Sequence, residues 1–339
     1  MPSPLITPVM TLPEYLKGHD IDDAARPLVE MFAKSSDIME VIPFEGLTGP
    51  IYLGYRQAAL TAGMGFRAIN TGSTSGAGNV TPFQEATYLI DHDITVDRAI
   101  VDRGGTRRRA WEEQMGMARL GEIWVQNFLK GDNTTTNTVF NGLQKRAARY
   151  GRTIDNSAGA AGGTALSLYQ LDWAIQNTRK PTHIIIPWAM RSRFIQAARN
   201  TAISGFVIQN WGGGGHDGMS SMGSDRNASG PGAVGGVKMS YAGLPILFGY
   251  EKDLHPAILP FSEVAPAGGA PQTSSIYVVS LGEGGLRGIQ INPMNVEDVG
   301  LLQDRITYST HISWDVGLVD EGMFCFSRLC GIQNLAIVA

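Results

Sequence analysis

Asp91-His92-Asp93 sets three ionisable side chains side by side, the residue types a metal site or a general base would draw on. They fall in a stretch that reads as a strand, so alternation sends Asp91 and Asp93 to one side and His92 to the other. Ligands that diverge cannot close on one ion, and a solvated edge with interface pairs accounts for them better. The remaining histidines, at 19, 183, 216, 255 and 311, are scattered. His311, within YSTHISWDVG, reads as a hydrogen-bonded sheet residue. Gly212–Gly215 with His216 and Asp217 could frame a nucleotide or metal loop. No Lys-Ser/Thr follows and no second His stands at ligand spacing, so a flexible loop is the better reading. Gly63-Met64-Gly65 and Gly76-Ala77-Gly78 lack the continuation of a phosphate loop and read as turn glycines. No GxSxG elbow is present. Cys325 and Cys330 imply neither a disulfide framework nor a zinc site, and they fit a reducing compartment. The expectation is a chain that is not an enzyme, with no catalytic residue, cofactor or metal.

Arg107-Arg108-Arg109 is the charge cluster with most to explain. It stands at the start of a long helix, whose backbone is already partly positive there; each cation is disfavoured by roughly 0.3–1 kcal/mol. Two readings stay open. Arg108 and Arg109 can reach Glu112 and Glu113 along the helix, or the cluster pairs with carboxylates of a neighbouring subunit. Nucleic-acid phosphate ranks below both.

The elements that must position these residues are unusual in composition. The 339-residue chain has 42 glycines, only 17% charged residues and a net charge of −4. It is long enough for one large or two ordinary domains and is no polybasic nucleic-acid binder. Arginine outnumbers lysine, which suits geometrically fixed interface pairs. No signal peptide or membrane span is visible.

Residues 1–43 read as an N-terminal arm, kept extended by Pro2, Pro4, Pro8 and Pro13, with a short helix in DDAARPLVEMFAKSSD. Residues 44–86 read as a long two-stranded excursion. Ile51, Leu53 and Tyr55 mark one limb, and Phe66, Ala68 and Ile69 the other; Leu60 and Met64 lie in the connection, and Gly72–Gly78 is a loose return. A two-stranded ribbon is marginal alone, so this apolar set needs burial by something else. A strand follows over 87–101, with Leu89, Ile94, Val96 and Ile100 for burial. The strongest helix spans 107–130, with Trp111, Met115, Met117, Leu120, Trp124, Val125 and Phe128 at helical spacing and Gly131 as its left-handed stop.

Beyond it, Ser167-Leu168-Tyr169-Gln170 reads as a capping box for a helix over 168–178, THIIIPW as a buried strand, and 189–200 as a helix. Residues 205–236 are glycine- and serine-rich and read as a mobile loop. Strands are expected near 237–241, 244–250, 275–281, 286–292, 304–318 and 323–332, with no internal repeat.

This order of elements resembles the major capsid proteins of tailed double-stranded DNA bacteriophages, with the α+β Hong-Kong-97-type fold. Asn127-Phe128-Leu129-Lys130-Gly131-Asp132 and Phe140-Asn141-Gly142-Leu143 look like that family's passage from spine helix into the central domain. LSLYQLDWAIQNTRKPTHIIIPWAMRSRFIQAARN looks like its helix–strand–helix, and the stretch from SSIYVVSLGEGGLRGIQI to DRITYSTHISWDVGLVDEGMFCFSRLCGI like its closing strands. The resemblance covers nearly the whole chain and rests on order and length rather than on one motif. It implies an arm over 1–43 and an E-loop over 44–86. It also implies a peripheral domain over 87–155 and 286–322, with the spine helix at 107–130, and an axial domain over 156–285 and 323–339.

The implied function is self-assembly into hexamers and pentamers of an icosahedral head around double-stranded DNA, contacted non-specifically. Implied partners are further copies of the chain, a portal, a separate scaffolding protein and a cement protein, with no membrane. The implied location is the virion, after synthesis in the bacterial host cytoplasm. The arm is short for a fused scaffolding domain, so the N-terminus is expected to be retained. The expected subunit contacts are Ile51, Leu53, Tyr55, Leu60, Met64, Phe66, Arg107, Arg108 and Arg109. Members that cross-link covalently use a lysine, and none occurs here between Lys34 and Lys130. An encapsulin-type bacterial nanocompartment is the alternative; a pocket enzyme is a distant third.

Overall fold

The computed structural model describes residues 10–11, 37–59, 65–72, 76, 78–98, 106–199, 240–248, 258–302 and 306–338. The arm helix expected near 22–36, the expected loop over 205–236, and Ile100 lie outside them. Two sheets and a separate hairpin make up the β structure.

The first sheet is organised around one long strand, β13 (Thr307–Asp320). Along one edge runs β5 (Tyr88–Asp97), from Thr307↔Asp97 to Val316↔Tyr88. Val316 also pairs with Gln290, so β11 (Leu286–Gln290) occupies the opposite edge, followed there by β12 (Asn295–Leu301). Pro43–Gly46 forms β2, which pairs parallel with β11; Met10–Thr11 forms β1 and pairs with β2. Residues 44–46 are thus part of this sheet, and the hairpin pairing begins only at Ile51.

Alternation gives the sheet one dry face. Ile94, Val96, Ile312, Trp314 and Val316 are buried, whereas Leu89, expected inside, is exposed because its parity puts it on the outer face with Asp91 and Asp93. Against the dry face packs α2 (Thr106–Lys130) through Leu120, Trp124 and Phe128, and the short α1 (Asp37–Val41) adds Ile38 and Met39 to the same core. Phe44 wedges between Trp124 and Trp314, with ring centroids 5.6 and 5.3 Å away, and Trp124 stacks on Phe128 at 5.4 Å. Glu122 is buried in this helix but pairs with Arg119 at 2.7 Å.

Gly131 does end the helix, for a different reason from the expected left-handed turn. Its φ is not positive; instead a Cβ there would lie 2.4 Å from the carbonyl oxygen of Phe140, where the chain folds back and Gly142 donates to Gly131 at 2.8 Å. The helix that follows, α3 (Leu143–Arg149), was not legible as one in the sequence.

The second sheet runs β6 (Thr153–Asp155), β14 (Phe326–Ile332), β10 (Ser274–Val279), β7 (His183–Ile185), β9 (Leu244–Leu247) and β8 (Ser240–Tyr241). It is buried on both faces, so β10 carries the unbroken apolar run Ile276–Val279 behind two buried serines, Ser274 and Ser275. Tyr277, Val279, Ile185 and Phe326 join the core under α2. Ile276, Val278, Ile184 and Leu329 turn to the other side, against α4 (Leu168–Gln176) and α5 (Arg191–Arg199). The expected capping box at Ser167 does not form: its side chain makes no cap bond, and its backbone N–H donates to Asn156 Oδ1 at 3.0 Å.

Candidate subunit interface

The hairpin pairs β3 (Ile51–Ala59) with β4 (Asn79–Ala86), from Ile51↔Ala86 to Ala59↔Asn79. Its second limb is therefore 79–86, not the stretch around Phe66. Residues 65–72 form an unpaired connection with a turn closed by Thr71 N–H on the Ala68 carbonyl at 3.3 Å.

Alternation gives the ribbon two unlike faces. Ile51, Leu53 and Tyr55 share one face, opposite Ala86, Gln84 and Pro82, and are 54%, 65% and 76% exposed. Phe66 is fully exposed, and Ile69 and Val80 are also exposed. Leu60 and Met64 lie outside the described residues. In the single chain, then, the hairpin presents a row of exposed apolar side chains that no described residue of the body covers.

The other face is polar and locked to the body. Gly54 leaves space for the Phe83 ring, since a Cβ there would lie 2.5 Å from it. The Arg56 guanidinium sits 4.0 Å over that ring. It donates to Tyr150 Oη at 2.9 Å and reaches Asp320 Oδ2 at 3.0 Å. From β4, Glu85 takes a two-pronged bond from Arg146, at 2.7 and 2.8 Å. Arg146 also contacts Asp320, the Leu318 carbonyl at 2.9 Å and the Asn141 carbonyl at 2.7 Å. Beside this cluster, Arg287 reaches Glu45 at 2.9 Å, Glu321 at 2.5 Å and Tyr52 Oη at 2.8 Å, and Tyr52 donates to Glu321 at 3.1 Å. Burial alone would pull the Arg146 guanidinium down, but Asp320 and Glu85 hold it above its ordinary value. Burial pushes the Tyr150 and Tyr52 hydroxyls up.

Sequence reasoning did not find this cluster. Its signal was Arg146 itself, an arginine in the helical stripe with Leu143 and Ala147, all three buried. A cation in an apolar stripe requires buried carboxylates elsewhere, and their positions, 85 and 320, are set only by the fold.

Arg107, Arg108 and Arg109 stand in the first turn of α2; their side chains lie outside the described residues. Three acids that could have met them, Glu45, Glu85 and Asp37, are engaged within the chain. The first two bind Arg287 and Arg146, and Asp37 accepts the Phe248 N–H at 2.9 Å. His311 is the sheet residue it was expected to be, with Nδ1 2.6 Å from Asp93 Oδ1 across the β5–β13 pair. Among the described residues, no three His, Cys, Asp or Glu side chains converge as a metal site would require, and no helix is long and apolar enough to cross a membrane.

No family model matches the sequence, and no curated protein matches it. Solved structures do match. The chain is similar to the holo-SrpI encapsulin complex from Synechococcus elongatus PCC 7942, with a TM-score of 0.59 and 11% identity over 89% of each chain. It is similar to a chain of Microbacterium phage Oxtober96, with a TM-score of 0.59 and 9% identity over 87% of this chain and 90% of that one. The capsid of a native GTA particle gives 0.59 and 10% identity over 88% and 90%. These likenesses show the fold: the chain has the α+β Hong-Kong-97-type capsid fold that the order of its elements led one to expect.

Proposed function

We propose that this chain is the major capsid protein of a phage head, assembling as hexamers and pentamers into an icosahedral shell that encloses double-stranded DNA. The observation that carries the proposal is the hairpin: a ribbon fixed to its own body by one face and, among the described residues, exposing apolar side chains on the other. Such a face is stabilised by burial against a second copy, at roughly 25 cal/mol per Å² of apolar area before ordering costs. Each contact is small, and closed symmetry repeats it many times. Leu60 and Met64 belong to the same contact, and Arg107–Arg109 meet carboxylates of a neighbour. A portal, a separate scaffolding protein and a cement protein are the further partners, and the virion is the location. The proposed chemistry is assembly, with no catalytic step.

An encapsulin-type compartment is the second reading, because the likeness to the Synechococcus encapsulin is as strong as that to the phage and GTA chains. Contents separate the two. Particles purified after nuclease treatment should carry protected double-stranded DNA if the phage reading holds. Particles filled with a protein cargo and free of DNA would support the compartment instead.

A further inference from the structure

The four charged side chains at the hairpin base form a neutral and almost dry set. Arg56 and Glu85 come from the two limbs, Arg146 from α3 and Asp320 from the end of β13. Asp320 is wholly buried and Arg146 is 3% exposed. All five N–H donors of Arg146 are used: Nε on Asn141, Nη1 on Glu85 and Asp320, Nη2 on Glu85 and Leu318. Two-pronged pairing sets direction as well as distance. The arginine therefore holds the hairpin at a defined angle to β13, where backbone pairing alone would let a two-stranded ribbon swing.

The division of the charges matters most. Each limb contributes one charge and the body contributes one of each sign. Removing both hairpin charges leaves Arg146 and Asp320 still paired with each other, so the body keeps a neutral interior. The set can be opened without leaving an unpaired charge in the core.

We infer that Arg56, Glu85, Arg146 and Asp320 form a latch that fixes the hairpin's angle in the subunit before a neighbour engages it. The inference rests on the reading of the hairpin as a subunit contact. It gives these residues a positioning role: an arm already aimed loses less freedom when it docks.

The test is a distance measurement on the full chain, in the smallest species that size exclusion resolves. Spin labels go on Val80→Cys at the hairpin and Ala148→Cys on the body; both sites are exposed, and the native cysteines are buried. With the latch intact, one narrow distance is expected. In Arg56→Met/Glu85→Gln, compared with its parent in a Tyr52→Phe background that removes the neighbouring hairpin bonds to Arg287 and Glu321, that narrow peak should be lost to a broad distribution, while the amide protection of β13 stays unchanged. A peak equally narrow in the variant would overturn the latch, and so would collapse of β13 protection, because the body pair is argued to be self-sufficient. Particle size of the native chain tests the shell reading separately, so either claim can fail alone.

Discussion

Arg328 Nη2, on the interior strand β14 of the second sheet, lies 2.9 Å from Glu263 Oε2, and both side chains are only slightly exposed. The other Glu263 oxygen is 3.1 Å from Lys130 Nζ, the last residue of α2, and Ser275 donates to the carboxylate at 2.5 Å. One carboxylate thus joins the end of the long helix to the second sheet. Burial would raise the Glu263 carboxyl, but Arg328, Ser275 and Lys130 together hold it below its ordinary 4.5. A depressed carboxyl contributes stability above its unfolded value, and that contribution is lost as pH falls through the folded one. Glu263→Gln should therefore destabilise the chain by about 2 kcal/mol at pH 7. The gap to the native chain should close as pH drops below 4.5. Thermal unfolding at pH 7 and pH 3 checks this; a gap of constant size would show that the charge is not the source.

Gly288 faces Phe44, and an added Cβ would lie 2.3 Å from its ring. The ring cannot retreat, because Trp124 and Trp314 flank it. Gly288→Ala is expected to cost about 1–3 kcal/mol by overpacking. Denaturant melts should register this, whereas Gly46→Ala, with open space around it, should cost less.

Tyr55→Ser/Phe66→Ser should leave the body folded and impair assembly, since both side chains are exposed in the single chain. Circular dichroism would read the first effect and particle yield the second. Normal yield of particles with unchanged melting would remove the hairpin from the interface.

No lysine occurs between Lys34 and Lys130, so the hairpin cannot supply an amine for a covalent link. Assembled material boiled in reducing detergent should run as a monomer of 36.4 kDa. A ladder of multimers surviving that treatment would contradict a non-covalent shell.

Long elements were readable because their apolar periodicity is strong. The stripe Leu120, Trp124 and Phe128 located α2, and the run Ile184–Ile186 located β7. What stayed hidden lacked a local signal. Asn295–Leu301 is polar and is a strand only because Val296 through Leu301 lie along β13. Asn79–Ala86 contains Pro82, a residue that argues against a strand, and the stretch near Phe66 carries the stronger local signal. Phe66 is apolar not to pair in this ribbon but to stand exposed. The exposed row Ile51, Leu53 and Tyr55 was legible from alternation. The latch residues, separated by up to 264 positions between Arg56 and Asp320, were not.

The most direct test of the shell-building proposal is the mass of the purified full chain in native buffer, measured by light scattering and compared with the 36.4 kDa subunit. The account predicts closed particles of megadalton mass that dissociate to the monomer in denaturant. A monomer or small oligomer as the sole species, across the salt and concentration range in which the chain stays folded, would contradict it.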